Sequence, residues 1–401
     1  MWRLGFFFHE MGFGLLSVFL PLYVVSEAVR GSLFDIGIMS AVALFLAIPA
    51  SLFWGYLCDK TRHYKRFILL SFSTSALLLY VFSLATSVYL LIALYALMAV
   101  LHVAHEPPKN ILIAELYSRP DWERSFAFYE GFTEVGWLIG LILGFLASAY
   151  GLSQVFTLLL CSGLNLVAFA LSIVLVADPL LVFERRLVSI EKSTDFASRG
   201  IFLASKFLDG LHVNERLKRE NINAFCVGLV LFSLATSILF TPMPIFVSDT
   251  LKSAALSSSL VFAVFVLNSA GGVLGYYAAG SRSEGRTEKT SIGRIVLFRS
   301  FLSSLLLLTI VIISSAYSVV LLVGLLILLG FANAIFLVST LVLSMELIPA
   351  GRAGLFNVLI GLGGAFGSFI GPLIAQTMSF VYVFIAAGVI FFMAYAAFRI
   401  F

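Results

Sequence analysis

The side chains best able to do chemistry stand where a chain can least tolerate them. His102-Val-Ala-His-Glu-Pro-Pro-Lys-Asn110 interrupts an otherwise apolar run from Val88 to Tyr117. His102, His105, Glu106 and Lys109 fall at i, i+3, i+4 and i+7, a spacing that lines all four along one helix face. At the centre of a bilayer a Lys or acidic residue costs roughly 2.5 to 3.5 kcal/mol, so that face must look onto protein or a water-filled cavity. Pro107 and Pro108 lack N–H groups, which predicts a broken helix with the carbonyls of Val103 and Ala104 left without helical partners. A broken helix that carries ionisable groups at depth points to a transport site.

Further groups are expected at the same height. Glu130, Thr133, Glu134 and Trp137 share one face of a later helix, and His9 and Glu10 come from the first. At about 1.5 Å per residue, Glu10 lies about 9 Å inside the apolar region, and Glu130, Glu134 and Lys109 roughly 7 to 14 Å inside. Glu10, Glu106, Glu130 and Glu134 against the single Lys109 leave surplus negative charge that a proton, a ligand or water must offset. Three chemistries fit: proton or solute handling, an ion-pair network that only fastens helices, or metal ligation by His9, His102, His105, Glu10 and Glu106. No metal site is assigned on this basis. His105-Glu106-Pro-Pro-Lys109 departs from the metalloprotease pattern His-Glu-x-x-His, because Lys replaces the second His and the prolines disrupt the helix.

The elements that must position these groups follow from composition. The 401 residues are 61% hydrophobic and only 11% charged, with a mean hydropathy of +1.07; soluble domains carry about 25% charged residues. Apolar runs long enough to cross a roughly 30 Å core recur at 4–25, 33–57, 67–86, 88–115, 125–149 and 153–177. They resume at 222–247, 256–279, 295–313, 317–345, 354–378 and 380–399. These are spans 1 to 12. The first reads as a retained span, since no small-residue cleavage site follows it. Of 25 Lys and Arg, all but Arg30, Lys252 and the intramembrane Lys109 fall on the side of the two termini, which makes that side cytoplasmic. Cys58, Cys161 and Cys226 are too scattered for a Cys-x-x-Cys site, so neither a disulfide nor a structural zinc is expected.

The domain plan is a repeat. Residues 1–177 form one six-helix half and 222–401 another. The polar stretch 178–221 is a linker whose Ile201, Ala204, Phe207, Leu208 and Leu211 mark an interfacial helix. Phe19-Leu20-Pro21 is matched by Phe240-Thr241-Pro242, Arg30 by Lys252, and Ala114-Glu115-Leu116 by Met345-Glu346-Leu347. Arg124 precedes Gly136 by the interval that separates Arg352 from Gly364. Two halves in one orientation imply an axis along the membrane normal, with a solute site between them.

Between spans 2 and 3 the chain reads Gly55-Tyr-Leu-Cys-Asp59-Lys60-Thr-Arg62-His-Tyr-Lys65-Arg66. With twelve spans in two halves, this resembles the major facilitator superfamily, whose signature here is Gly-x-Leu-x-Asp-Lys/Arg-x-Gly-Arg-Lys/Arg. His63 and Tyr64 stand around where that family prefers Gly and Arg, and the second copy, Gly275 to Arg282, has lost the Asp. The resemblance implies an all-α membrane fold, twelve helices in two pseudo-symmetric halves, and a gating latch. On this reading Asp59 caps a helix end and faces the start of span 11 near Gly354, while Arg62, Lys65 and Arg66 reach Glu115 and lipid phosphates, with Arg124 or Arg352 as a further partner. The alternative is a basic anchor with no switching role. Gly136, Gly140 and Gly144 on span 5, and Gly363, Gly364, Gly367 and Gly371 on span 11, allow close helix approach. That fits the family's packing of helices 2, 5, 8 and 11 across its two halves. Span 5 also resembles the antiporter signature Gly-x-x-x-Gly-Pro-x-x-Gly-Gly, except that Leu141 and Phe145 replace its Pro and last Gly.

The resulting expectation is a secondary transporter, not an enzyme, that moves a small organic solute by proton-coupled alternating access. It works as a monomer in the plasma membrane with both termini cytoplasmic, and needs neither cofactor nor nucleic acid. Coupling chemistry belongs to the first half, and Thr241, Asn268, Asn333 and Asn357 give the second-half cavity wall hydrogen bonds. Divalent-metal export and a non-transporting sensor or assembly subunit are the alternatives.

Overall fold

The computed structural model describes residues 2–116, 122–178, 221–254, 256–257, 259–281, 289–311, 316–347 and 354–401. The interfacial helix expected within 178–221, the end of the second signature copy at Arg282, and Arg352 lie outside them. Among the described residues, twelve helices are long and apolar enough to cross a membrane. Spans 1 to 3 are Arg3–Val24, Leu33–Thr61 and Tyr64–Phe82, and span 4 has two pieces, Val88–His102 and Glu106–Leu116. Spans 5 and 6 are Trp122–Ala149 and Gln154–Leu175; span 7 is Ile222–Phe240 continued by Met243–Ser253. Spans 8 to 12 are Leu260–Gly280, Lys289–Val311, Ala316–Leu347, Gly354–Thr377 and Phe380–Ile400.

Local sequence sets the ends of these helices. Ser32 opens span 2 with a reciprocal capping box: its backbone N–H donates to Asp35 Oδ2 at 2.8 Å, and its hydroxyl oxygen accepts the Asp35 N–H at 3.2 Å. Ser153 and Asn221 cap spans 6 and 7 by accepting the amides of Phe156 and Ala224. Pro242 and Pro244 interrupt span 7, and Pro21 stands at the corresponding place inside span 1. Tyr80, Tyr89, Tyr150, Tyr317 and Tyr382 are exposed at the span ends farthest from the termini, as expected of an interfacial aromatic belt.

The first six spans repeat their packing in the last six. Span 1 packs on 5 and 6, and span 3 on 6; span 7 packs on 11 and 12, and span 9 on 12. Most of the stripe glycines serve close packing within a half, and Gly144 and Gly364 face the other half. Gly140 sits against the carbonyl of Met11 and the amide of Leu15, so a Cβ there would overlap span 1 backbone. Gly363, Gly367 and Gly371 meet the carbonyls of Val230, Leu234 and Ile238 on span 7 in the same way. Contact between the halves comes chiefly from two antiparallel pairs, span 2 with 11 and span 5 with 8. Along the first, the Phe34 amide donates to Gln376 Oε1 at 2.6 Å and the Phe45 and Phe366 rings lie 5.1 Å apart. Along the second, Gly144 meets the Phe262 ring, Gly131 meets Tyr276, and Ala127 meets Gly280.

Candidate functional site

Span 4 does break at the expected place, and the break is a tight turn instead of a gap. Val103–His105 form one turn of 3-10 helix, and the second piece begins at Glu106. Pro107 and Pro108 therefore occupy the first turn of a new helix, where no intrahelical N–H is required. Glu106 N–H closes onto the Val103 carbonyl, so that carbonyl keeps a partner, contrary to expectation. The His102 carbonyl, at the head of the turn, accepts from Ser71 Oγ at 2.8 Å and from His105 Nδ1 at 2.6 Å. The turn is thus pinned to span 3, and it fixes the direction of both imidazoles.

From that turn a polar chain runs across four spans. His105 Nε2 lies 3.3 Å from Glu106 Oε1, and Lys109 Nζ bridges Glu106 Oε2 at 2.6 Å and Glu130 Oε1 at 3.8 Å. Lys109 is 12% exposed and also sits 5.6 Å from the Tyr129 ring centroid. In so enclosed a place the ammonium is worth far more to the two carboxylates than at a surface. On the other side of the turn, His9 Nε2 is 3.1 Å from His102 Nδ1, and His9 Nδ1 donates to Asn165 Oδ1 at 2.6 Å. Glu10 stands half-buried beside His9 and makes none of these short contacts.

Glu134 is the member that leaves its own half. Its Oε1 accepts from Ser269 Oγ on span 8 at 2.6 Å, and Gly272 leaves room for the carboxylate. One turn further along span 5, Trp137 enters the wall of a cavity of about 280 Å³. Phe13, Ser17, Tyr95, Thr236, Ser237 and Thr241 also line it, and no charged residue does. Phe13 separates this cavity from the histidines: its ring lies 4.8 Å from that of His9 and 4.4 Å from that of His102.

The second half differs from expectation. Of its four polar candidates, only Thr241 lines the cavity, and it donates to Ser368 Oγ at 3.2 Å. Asn268 turns to span 10 and gives its amide to the Leu326 carbonyl at 2.6 Å, a packing role. Asn357 is half-buried on span 11 and away from the wall. Asn333 accepts a hydrogen bond from Arg299, a fully buried guanidinium held 4.7 Å from the Phe232 ring and 4.9 Å from Phe391. A half read as nearly uncharged at depth therefore holds a cation. Arg299 is the fifth residue of the apolar run expected at 295–313, where a basic residue reads as part of the positively charged loop, but the helix begins at Lys289 and places it near the middle. The signal against that reading was Arg299-Ser-Phe-Leu-Ser-Ser-Leu, which is already amphipathic helix.

A sequence profile described as Major Facilitator Superfamily matches residues 4–372. The chain belongs to that superfamily. It is 27% identical over 404 residues to a protein named Multidrug resistance protein MdtG of Proteus mirabilis (strain HI4320), covering 98% of this chain and 93% of the relative. The protein of the same name from Serratia proteamaculans (strain 568) is 27% identical over 398 residues, with coverages of 96% and 89%. The crystal structure of the nucleoside transporter NupG shares the fold with a TM-score of 0.72 at 15% identity, over 100% of this chain and 98% of that one. The human organic anion transporter MFSD10 (TETRAN) does so with a TM-score of 0.70 at 16% identity, covering 99% and 97%. Membership and relatives together make the protein a membrane transporter of small solutes and not an enzyme.

Within the superfamily pattern, the loop after span 2 is displaced by one position from the sequence reading. Counting from Gly55, the signature glycine falls on Arg62, and Arg62 takes the left-handed backbone, φ 57°, as the C-cap of span 2. Asp59 is therefore in the last helical turn and not at a cap, and Asp59, Lys60, Arg62 and Arg66 are all exposed. Lys65 is committed to span 6 and its exit: its amide donates to Asp178 Oδ1 at 2.8 Å and its Nζ to the Ile173 carbonyl at 2.5 Å. Arg124 is exposed, and the side chains of Glu115 and Arg352 lie outside the described residues.

Proposed function

We propose that this superfamily member moves a small, uncharged, largely apolar organic solute by alternating access, coupled to protons taken up by the carboxylate cluster of the first half. The observation that carries this reading is the Glu134 to Ser269 hydrogen bond, which joins a carboxylate of the coupling cluster to the opposite half. A carboxylate that is charged accepts this bond strongly; once protonated it accepts more weakly and gains a donor of its own. Proton uptake at Glu134 thus changes how firmly span 5 holds span 8, and Trp137 one turn away connects that change to the solute. The Glu106, Lys109 and Glu130 chain stands behind it as a reservoir of charge. An uncharged wall of aromatic rings and hydroxyls supports a solute with apolar surface and few hydrogen bonds, and the multidrug resistance names of two relatives support the same breadth. We further infer that both termini are cytoplasmic, from the placement of Lys and Arg, and that the protein works as a monomer in the plasma membrane.

The test is paired transport in proteoliposomes. Glu134→Gln, a permanent mimic of the protonated carboxyl, should abolish accumulation driven by a proton gradient while solute exchange down its own gradient persists. Survival of both activities would remove Glu134 as the coupling group. Absence of any solute movement in the wild type, across amines, neutral aromatics and organic acids, would favour a non-transporting subunit.

A further inference from the structure

His9, His102 and His105 each place one ring nitrogen within 4.8 Å of those of the other two, the only grouping of three such ligand residues among the described residues that is compact enough to hold an ion. Their surroundings orient the rings. Asn165 commits its amide nitrogen to the Cys161 carbonyl at 2.8 Å, so its oxygen faces His9 and takes the Nδ1 proton. His105 gives its Nδ1 proton to the His102 carbonyl. Both rings are left with a lone pair on Nε2. A ligating histidine is held in just this way, its second N–H spent on a carbonyl or amide oxygen.

The lone pairs then outnumber the protons available to separate them. One proton bridges His9 Nε2 and His102 Nδ1 at 3.1 Å. None remains, with neutral rings, between His105 Nε2 and the Glu106 carboxylate at 3.3 Å. A cation answers this second contact and can replace the proton at the first, and the excess of carboxylates over Lys109 draws one in. The 3.1 Å between His9 Nε2 and His102 Nδ1 is close to the edge of about 3.3 Å that a tetrahedron with metal–nitrogen bonds of about 2.0 Å requires, and the third imidazole, within 4.8 Å, closes the shell by a small inward turn. The other half gives independent support. The repeat that aligns Glu115 with Glu346 aligns His102 with Asn333, and Asn333 holds the buried cation of Arg299. The fold therefore builds a cation pocket at this point in each half, with a fixed guanidinium in one and three imidazoles in the other.

We propose that His9, His102 and His105 bind one first-row transition-metal ion of the Zn²⁺ and Co²⁺ class, with Glu106 as the adjoining carboxylate. Imidazole with an oxygen neighbour suits these ions and not Mg²⁺ or Ca²⁺. The inference does not rest on Glu134 or on the identity of the solute. His9 and His105 are buried, and the Phe13 ring lies between them and the central cavity, so this is a held ion and not the transported one.

The experiment titrates the full-length, tag-free protein in detergent with Co²⁺, read by visible absorption, and with Zn²⁺, read by calorimetry. One ion per chain and the intense visible bands of tetrahedral Co²⁺ are expected. His9→Ala and His102→Ala should each lose the bands, and Asn165→Ala should weaken binding by about 10- to 100-fold through the orientation of His9. His63→Ala, on the exposed loop after span 2, should match the wild type. Binding that never saturates at one ion, that persists in the His9→Ala His102→Ala double variant, or that disappears with His63→Ala would overturn the proposal. Where a histidine variant melts early, Asn165→Ala decides: unchanged affinity in that folded protein counts against the site.

Discussion

Arg299 and Lys109 are both cations held between helices, and the chain satisfies them by different means. Lys109 has two carboxylates within reach. Arg299 has one amide oxygen and two aromatic faces, and its Nε and second terminal nitrogen have no hydrogen-bond partner. A buried charge so placed contributes little to stability, since an apolar side chain of similar volume is often as good or better. Arg299→Met should therefore melt at or above the wild-type temperature in scanning fluorimetry. Asn333→Leu keeps the guanidinium and removes its hydrogen bond, and should cost about 2 kcal/mol. If Arg299→Met instead melts well below Asn333→Leu, the guanidinium is a net stabiliser and this account of it is wrong. The sequence hid Arg299 because hydropathy and the charge bias of loops treat every basic residue near a span end alike. Burial is decided by which helix face meets spans 7 and 12, and that is information about tertiary packing.

At the level of helices, the close approach of spans 1 and 5 is the least forgiving contact. A Cβ on Gly140 would meet backbone atoms of Met11 and Leu15, which cannot rotate away as a side chain can. Gly140→Val should destabilise the protein by about 3 kcal/mol or prevent its folding, whereas Ile142→Val, on an exposed position of the same span, should stay near wild type. Folded yield by size-exclusion chromatography and the melting temperature check both. Spacing alone revealed that these glycines permit close approach. It did not reveal that most of them serve packing within a half while Gly144 faces the other, because a stripe of small residues names no partner. The break in span 4 was legible for a firmer reason: two successive prolines delete hydrogen bonds wherever they stand. That the Val103 carbonyl would keep a partner was not, since the chain tightened to a 3-10 turn, and Ser71 came from another span to meet His102. Asn268 and Asn333 were misread alike, as polar groups facing a cavity when each was already satisfied inside its own half.

For the whole molecule, twelve spans and the two-fold repeat could be read directly, because each span must be apolar over its full length and the halves keep matching landmarks. On the proposed alternating-access reading, function depends on the relative position of the halves, and that position can be trapped. A Cβ placed on Gly280 would stand 3.2 Å from that of Ala127, near the separation a disulfide needs. The Ala127→Cys Gly280→Cys protein, oxidised, should stop transport by pinning span 5 to span 8, and reductant should restore it. Undiminished transport with the bond formed would mean that this end of the interface never opens. Cys58, Cys161 and Cys226 are buried, so the background of competing thiols is low. The position of Glu134 has one more consequence, an electrical one. It stands about halfway along span 5 (Trp122–Ala149), so a proton that reaches it from either side has crossed about half of the membrane field. Full passage of one charge through 100 mV is worth about 2.3 kcal/mol, and half of it about 1 kcal/mol. A potassium diffusion potential imposed on proteoliposomes at equal pH on both sides should therefore change the transport rate of the wild type and leave Glu134→Gln indifferent, making the protein responsive to voltage without a single moving arginine.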